Sequence, residues 1–288
     1  MNSLPWRRPL GRLALVPLLA LALLVPAVPV ALPAPAAAAP AAAGGLRTAL
    51  PAALPTAVPV AVTTAPRPQV GALFPGGVAG SHSCTGTVVA SPTGDLVITA
   101  AHCLSGSPRG WSFVPGYDAG RAPYGVWRVA YGYVDPRWRT GHDPHYDVAV
   151  LRIEPLVVSG RARTIQSVVG AYTAAEQRPV GTSTRLTAYN AGRGDRPITC
   201  ANSVASERGW PLVTCGGFYN GVSGSAFTSV VDGRTVIAGI IGGLHEGGCT
   251  SWQNYSSPFH LSWVSTLLTR ASRRWPADAP TPSAGDGC

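Results

Sequence analysis

The chain has 288 residues, and its 22 basic residues against 13 acidic ones give a formal net charge of +9. All 22 basic residues are arginine and they are spread along the chain, which disfavours nucleic-acid binding because that needs a basic stripe with interleaved aromatic rings. Hydrophobic residues make up 46%, with 8 Trp and 9 Tyr, and this apolar content excludes disorder throughout.

The first 43 residues have the layout of a removable secretory signal. Three arginines come first, residues 13–25 form a short apolar run, and small residues follow as far as Ala41-Ala42-Ala43. A membrane-spanning helix needs about 20 apolar residues, and a run of that length here would include prolines. We therefore expect cleavage before Gly44, secretion, and no stable membrane association afterwards. A retained anchor and twin-arginine export through Arg7-Arg8 are the alternatives.

Two stretches that flank the rest of the chain are too rich in alanine and proline to bury a core of their own. Residues 44–68 are predicted to be a spacer or a short pro-segment. Residues 275–288 are predicted to be a Pro-rich tail that ends in Cys288. The folded domain is then predicted to span residues 69–274.

Within residues 69–274, short β-type runs alternate with Gly, Pro, Asn and Asp. Near the end of this range, Leu261, Val264 and Leu268 recur at the three- and four-residue spacing of a helix. Many strands with one helical pattern are typical of an all-β sandwich or barrel. The clearest β-type runs lie at residues 84–90, 96–100, 125–133, 148–153, 184–188, 226–231 and 236–241.

The cysteines are even in number and lie beyond the signal, which favours disulfide pairing in an exported chain. No two have the C-x-x-C spacing of a zinc or redox site. His142 and His145 beside Asp143 match no closed zinc shell, so we expect a solvated loop there and no metal or cofactor. The six residues are Cys84, Cys103, Cys200, Cys215, Cys249 and Cys288.

A histidine suited to general-base catalysis stands at the end of an apolar strand. The run Val97-Ile98-Thr99-Ala100-Ala101 leads directly into His102 and Cys103. A disulfide from Cys103 to Cys84 on the preceding strand would fix the turn that presents the imidazole. Taken alone, the histidine could also be structural, so its role depends on its partners.

A carboxylate and a serine supply candidate partners. Asp147 opens the strand 148–153, where an ionised carboxylate is costly unless other groups hold it. Ser223 lies in Gly221-Val222-Ser223-Gly224, and the glycines on both sides allow backbone N–H groups to point beside its hydroxyl. Histidine, aspartate and serine thus occur along the chain in that order.

With these residues in this order, the chain resembles the chymotrypsin-like (trypsin-superfamily) serine peptidases, in particular secreted actinobacterial members. The likeness spans roughly residues 70–268 and is carried by Thr-Ala-Ala-His-Cys, by Asp before Val-Ala-Val-Leu, and by Gly-Val-Ser-Gly-Ser, a weakened form of Gly-Asp-Ser-Gly-Gly. The resemblance implies an all-β chymotrypsin-like fold with two six-stranded antiparallel β-barrels, a C-terminal helix, and the site in the cleft between the barrels.

The same resemblance assigns a role to each candidate. His102 acts as general base and then general acid, Asp147 orients its imidazole, and Ser223 is the nucleophile that forms an acyl-enzyme. The backbone N–H groups of Gly221 and Ser223 form the oxyanion hole. The implied function is that of a secreted serine endopeptidase acting on proteins or peptides, and we expect a monomer.

The chain departs from the family pattern around the nucleophile. Val222 replaces an aspartate that in many members pairs with a newly cut N-terminus, so we expect no such activation switch. Ser225-Ala226 stands where the family has Gly-Gly or Gly-Pro, and Gly242-Gly243 stands where many members have Ser-Trp. The loss of that serine removes a hydroxyl that would support Asp147. These departures keep open the alternative of a catalytically weak or inactive protease-like binding module.

Two candidate residues have rivals, and another hydrolase class also competes. Asp143 competes with Asp147 for the carboxylate role, and Ser225 competes with Ser223 for the role of nucleophile. An α/β-hydrolase esterase would need Gly-x-Ser-x-Gly before a long helix and the chain order Ser, Asp, His. The order here differs and helical patterns are scarce, which disfavours that class.

The preferred substrate side chain is not evident from the sequence. Residues 216–220, just before the nucleophile, contain no acidic group, so selection for arginine or lysine is not indicated. Glutamate-specific relatives carry a histidine at a position that aligns with Ile241 or, after a small shift, with His245. His245-Glu246 either shapes the specificity pocket or lies in a surface turn.

We expect three disulfides among the six cysteines. The Cys200–Cys215 link would close a short step between two strands before the nucleophile, and the remaining pair is assigned by remainder. A Cys215–Cys249 link is its rival. The expected pairs are Cys84–Cys103, Cys200–Cys215 and Cys249–Cys288.

Overall fold

The computed structural model describes residues 57–192, 196–285 and 288. Its strands are β1 (Val62–Thr63), β2 (Val70–Phe74), β3 (Cys84–Val88), β4 (Leu96–Thr99), β5 (Ser112–Pro115), β6 (Trp127–Val134), β7 (Ala149–Ile153), β8 (Leu156–Val158), β9 (Arg161–Arg163), β10 (Thr173–Ala174), β11 (Ser183–Tyr189), β12 (Pro197–Ser203), β13 (Ala205–Glu207), β14 (Trp210–Thr214), β15 (Ala226–Val231), β16 (Arg234–Ile240) and β17 (Gln253–Tyr255). Its helices are α1 (Pro136–Gly141), α2 (Ile165–Val169) and α3 (Leu261–Ser272), with 3₁₀ turns at Pro144–Tyr146 and Leu244–Gly247. The predicted all-β class with a C-terminal helix is confirmed.

The first half of the molecule is a closed antiparallel barrel in the strand order β2-β3-β4-β7-β6-β5. Every residue of β2, β3, β4 and β5 is buried, so small and apolar side chains occupy both faces of these strands. A Cβ at Gly71 or Gly86 would lie within 3.2 Å of the Phe113 ring, so glycine lets the walls close around that ring. Closure leaves this barrel without a free sheet edge.

The second half of the molecule consists of two sheets rather than one continuous ladder. One sheet has the order β1-β12-β11-β15-β16-β10, with β10 parallel to β16, and the other has the order β13-β14-β17. Between β12 and β14, the Asn202 side chain donates to Thr214 O at 2.7 Å and the Cys200–Cys215 disulfide adds a covalent link. Side-chain contacts therefore join β12 to β14, and at the end of β16 a backbone bridge between Ile241 and Ser256 joins the two sheets.

Helix α3 packs on the first barrel through Val264, Leu267 and Ala271. The sequence pattern placed Leu261 and Leu268 on the inward face together with Val264. Both of those leucines are only partly buried. The buried face of α3 is therefore formed by Val264, Leu267 and Ala271, and only Val264 of the three predicted residues is fully part of it.

The latter part of the predicted spacer contacts the folded body. Strand β1 pairs antiparallel with β12. Gly216 N donates to Pro59 O and Ala61 N donates to Gly216 O, both at 2.8 Å. Residues 57–68 therefore lie against the chain that leads to Ser223.

The predicted signal, residues 1–43, and residues 44–56 of the predicted spacer lie outside the described residues. In the part of the chain that is described, none of the helices is both long enough and apolar enough to cross a membrane.

Candidate active site

The end of β4 and the Cys84–Cys103 disulfide present His102 to a cavity at the molecular surface. His102 Nδ1 lies 2.7 Å from Asp147 Oδ2, and the backbone N–H of His102 donates to Asp147 Oδ1 at 2.8 Å. The two bonds fix the imidazole and the main chain of the histidine to one carboxylate. The ring is thus held in a single orientation.

The Asp147 carboxylate is fully buried, so its charge must be met by donors. Beside the two bonds from His102, the N–H of Gly243 donates to Asp147 Oδ2 at 2.8 Å. The backbone N–H of Asp147 itself donates to Ser257 Oγ at 3.1 Å. Three donors therefore converge on the carboxylate and compensate for its removal from water.

The departure from the family pattern at Gly242-Gly243 does not leave Asp147 short of a donor. The expected hydroxyl is absent, but the N–H of the next residue, Gly243, binds the carboxylate instead. A Cβ at Gly242 would lie 2.8 Å from Asp147 Oδ2, so any side chain there would have to displace the carboxylate or the loop. Gly242 and Gly243 therefore both help to position Asp147: Gly243 donates a hydrogen bond to its carboxylate, and Gly242 leaves room for that carboxylate.

Ser223 lies on a turn that docks against the first barrel. Thr85 N donates to Ser223 O at 2.8 Å. Gly224 has a φ of +83°, and a Cβ there would lie closer than 3.0 Å to Thr99 Oγ1 and to Thr85 O. Glycine is required at this contact, and it lets the turn bring Ser223 to the same cavity as His102.

The two N–H groups of the predicted oxyanion hole have no intramolecular acceptor among the described residues. Asn220 O accepts a hydrogen bond from Ala191 N at 2.7 Å. Because the peptide bond is trans, the N–H of Gly221 in the same peptide unit points the opposite way. The neighbouring N–H groups of Val222 and Gly224 donate to carbonyls, whereas those of Gly221 and Ser223 stay available to a ligand.

Val222 packs in an apolar cluster with Leu186, Val213 and Phe227. It occupies the position of the family aspartate without a charge to be paired. The local backbone thus rests on apolar packing.

The catalytic candidates share a cavity of about 670 Å³. Ile241, His245 and Glu246 all line it, so the predicted alternatives for the specificity position lie in one pocket. Glu246 gives this lining an acidic residue, so of the two alternatives for His245-Glu246 the structure favours a place in the pocket over a surface turn. Phe218 and Gln253 are among the other lining residues.

The rival residues lie elsewhere. Ser225 is fully buried and does not line the cavity, so it cannot replace Ser223. Asp143 is bonded to His145 at 2.9 Å on the exposed surface, and it caps the 3₁₀ turn that precedes Asp147. His145 stacks on Trp210 with ring centroids 4.5 Å apart.

All three expected disulfides are present, and the rival Cys215–Cys249 pairing is wrong. Two clusters of histidine and cysteine could suggest a metal among the described residues, at Cys84, His102 and Cys103 and at His245, Cys249 and Cys288. Every cysteine in them is in a disulfide, and a disulfide offers no thiolate to a metal. Neither cluster therefore fits a thiolate metal centre.

A family model described as the trypsin-like peptidase domain matches residues 84–240, more than half of the chain. A comparison with curated proteins found no match.

Three solved structures illustrate the similarity of fold. The protease Anisep from Arthrobacter nicotinovorans is 23% identical, with a TM-score of 0.61 over 74% of this chain and 100% of that one. The thermostable serine protease AL20 from an extremophilic microorganism is 23% identical, with a TM-score of 0.59 over 72% and 97%. A Glu endopeptidase is 20% identical, with a TM-score of 0.58 over 75% and 98%.

Proposed function

The chain belongs to the trypsin-like peptidase family, and we propose that it is a secreted serine endopeptidase. Ser223 is the nucleophile, His102 is the general base and then the general acid, and Asp147 orients the imidazole. The substrates are proteins or peptides, and no metal or other cofactor takes part.

The observation that carries this proposal is the convergence of three features on one cavity. His102 is fixed by Asp147 through two hydrogen bonds. Ser223 lines the cavity with His102. The N–H groups of Gly221 and Ser223 have no acceptor among the described residues. A base, a nucleophile and two unoccupied donors are the parts that acyl transfer needs.

Acylation begins when Ser223 Oγ attacks the peptide carbonyl carbon and its proton moves to Nε2 of His102. The Asp147 carboxylate accepts from Nδ1–H and stabilises the imidazolium that forms. The oxyanion accepts hydrogen bonds from Gly221 and Ser223, each worth about 2.7 to 4 kcal/mol by analogy with related sites. Collapse of this intermediate breaks the C–N bond, and His102 returns the proton to the leaving amine.

Deacylation uses the same groups with water in place of the serine. His102 removes a proton from the water, whose oxygen attacks the ester carbonyl of the acyl-enzyme. The second tetrahedral intermediate expels Ser223 Oγ, which recovers its proton from the imidazolium. The carboxylic acid product then leaves and the free enzyme is restored.

Secretion is proposed from the predicted signal together with the disulfides. Three disulfides in the described residues are typical of chains that mature in an oxidising compartment. With residues 1–43 removed, we propose that the mature protein has no stable membrane association. We propose that the mature protein is a monomer.

The competing function is a protease-like binding module whose altered nucleophile loop no longer supports turnover. Labelling with a fluorophosphonate, which reacts with activated serine hydroxyls, separates the two functions. The unaltered protein should be labelled once and should cleave peptides, whereas Ser223→Ala should do neither. Ser225→Ala is the matched control and should keep its label. A correctly folded protein that binds peptides but is never labelled would favour the binding module.

A further inference from the structure

We propose that the C-terminal tail is a strap across the substrate cleft, and that the Cys249–Cys288 disulfide determines how bulky a substrate can enter. The strap consists of residues 275–285 and Cys288. This inference rests on the proposed peptidase function, because the strap selects among the substrates of that same site.

The root of the strap is fixed to the first barrel by Asp278. Its side chain is only 2% exposed, and the carboxylate lies 2.9 Å from both Arg139 Nη1 and Arg270 Nη2. It also accepts from Val134 N at 3.0 Å, and the N–H of Asp278 donates to Gly132 O at 2.9 Å. A buried charge with this many partners holds its segment in one place, since losing a partner would leave charge uncompensated.

Beyond Asp278 the strap runs past the wall that carries His102. Gly106, four residues after His102, donates its N–H to Pro280 O at 2.7 Å. His142 Nε2 lies 3.1 Å from Thr281 O. These contacts place residues 280 and 281 on the first-barrel side of the cleft.

The far end of the strap is bonded to the opposite wall. Cys288 forms a disulfide with Cys249, which lies between β16 and β17 in the second half. Cys288 and Cys249 line the same cavity as His102 and Ser223. The strap therefore has an anchor on each wall of the cleft, at Pro280 and at Cys288.

The loop that receives the disulfide is itself held in an unfavourable backbone conformation. His245 and Glu246 have φ values of +51° and +48°, and Gly247 and Gly248 follow with φ of +113° and +130°. Non-glycine residues in this region cost about 1 to 3 kcal/mol each, so surrounding contacts must hold them. A ring nitrogen of His245 lies within 4.8 Å of both disulfide sulfurs. Cys249 directly follows this loop, so opening the disulfide would release the strap and this wall together.

A bridged cleft admits a thin, flexible segment more readily than a folded chain. The general base, the nucleophile and the oxyanion donors proposed for this site all lie outside the strap, so the strap acts on entry rather than on the chemical step. We therefore expect the closed strap to favour short or unfolded peptides over folded proteins. Opening the strap should reduce that preference.

The test compares kcat/KM for a folded protein substrate with kcat/KM for a short peptide ester, both per fluorophosphonate-titrated site. The strap is opened by combining Cys249→Ser with Cys288→Ser. It is also opened in the full unaltered chain by mild reduction and alkylation, with peptide mapping to show that this disulfide is the one broken. In both cases the protein-to-ester ratio should rise by about tenfold, or about 1.4 kcal/mol.

The matched control combines Cys200→Ser with Cys215→Ser, which removes a disulfide that does not line the cavity. Its ratio should not change, even though its stability falls. A ratio that stays constant or decreases when the strap is opened, with titratable sites intact, would overturn the strap's role and leave the peptidase function standing. If the unaltered protein has no titratable serine, the proposed function fails first and the strap's role in substrate selection fails with it.

Discussion

His102 and Asp147 lie where strands of a closed barrel end or begin, whereas Ser223 lies on a turn in a half whose two sheets share no continuous backbone ladder. In the barrel, neighbouring strands are paired all the way round. In the second half, the Asn202 side chain and a disulfide make part of the connection. His102 and Asp147 are thus held by the half of the molecule whose strands are hydrogen-bonded all the way round.

The difference shows what each part of the site demands. A buried carboxylate needs donors at fixed distances, and a closed barrel supplies a rigid frame for them. The nucleophile turn needs backbone freedom and close approach, which Gly221 and Gly224 provide. Changes in the first half should therefore act mainly through chemistry, and changes in the second half mainly through stability and docking.

The largest expected effect comes from Asp147→Asn. An asparagine can fill the same space, but its amide would favour the wrong tautomer of His102, and kcat should fall by about 10⁴. Steady-state kinetics per folded molecule, with circular dichroism as a check of the fold, measures this. Asp143→Asn is the matched control on the exposed loop and should keep nearly full activity. Equal losses in the two variants would contradict the assignment of the carboxylate.

Gly224→Ala should weaken the docking of the nucleophile turn. The left-handed backbone and the contacts with Thr99 and Thr85 together should cost about 4 kcal/mol. Urea unfolding measures the loss. Gly233→Ala is the matched control, since its φ is +72° with nothing within 4 Å of the added Cβ, and it should cost only about 1 kcal/mol. A smaller loss at position 224 than at 233 would show that the turn does not press against the barrel.

Removal of the Cys200–Cys215 disulfide tests how far the second half depends on covalent closure. Its 15-residue separation predicts a loss of about 3 kcal/mol in the chain-entropy model. The serine pair should unfold at lower urea concentration, and the urea dependence of the unfolding free energy should rise slightly because the unfolded chain is less constrained. A loss below about 1 kcal/mol would show that Asn202 and the apolar cluster suffice to join the two sheets.

The smallest effect concerns Asp135, the N-cap of α1 on the first-barrel side. Burial alone would raise its pKa, but hydrogen bonds from the Arg137 side chain and backbone outweigh burial and hold the pKa below its usual value. The carboxylate therefore stabilises the fold above the usual aspartate pKa of about 3.9, and this contribution is lost as the pH falls through the lowered pKa.

Asp135→Ala should cost about 1 kcal/mol at neutral pH, with the difference from the unaltered protein shrinking in acid. Asp135→Asn keeps a capping oxygen and removes the titration, so its stability should depend less on pH in the acid range. Urea unfolding at several pH values measures both variants. A constant difference between Asp135→Ala and the unaltered protein down to strong acid would contradict the stabilising role of the charge.

The parts that sequence reasoning predicted are those carried by local motifs. The stretch before His102, the carboxylate before β7 and the glycine-bracketed serine each carry their signal in a few adjacent residues. The contact of Gly243 with Asp147 could not be predicted, because it joins residues 96 positions apart through a backbone N–H that any amino acid except proline carries. The sequence therefore predicted only the loss of a side-chain hydroxyl near Asp147, whereas the structure has the N–H of Gly243 as a donor there.

The two ends of the described chain were hard to predict for a related reason. Strand β1 consists of only Val62 and Thr63 and pairs through its backbone, so it is too short to show an alternating pattern. The tail is dominated by proline and alanine, yet Asp278 fixes it through arginines that lie far away in the chain. Composition indicated that neither segment forms a core, but it could not show that both pack against one.

The central claim is that Ser223 is activated by His102 beside an oxyanion hole that is already formed. A crystal structure of the fluorophosphonate adduct tests it most directly. The account predicts a bond from phosphorus to Ser223 Oγ, with the phosphonyl oxygen about 2.7 to 3.1 Å from the backbone nitrogens of Gly221 and Ser223. An adduct on another residue, or a phosphonyl oxygen directed away from both N–H groups, would contradict the claim.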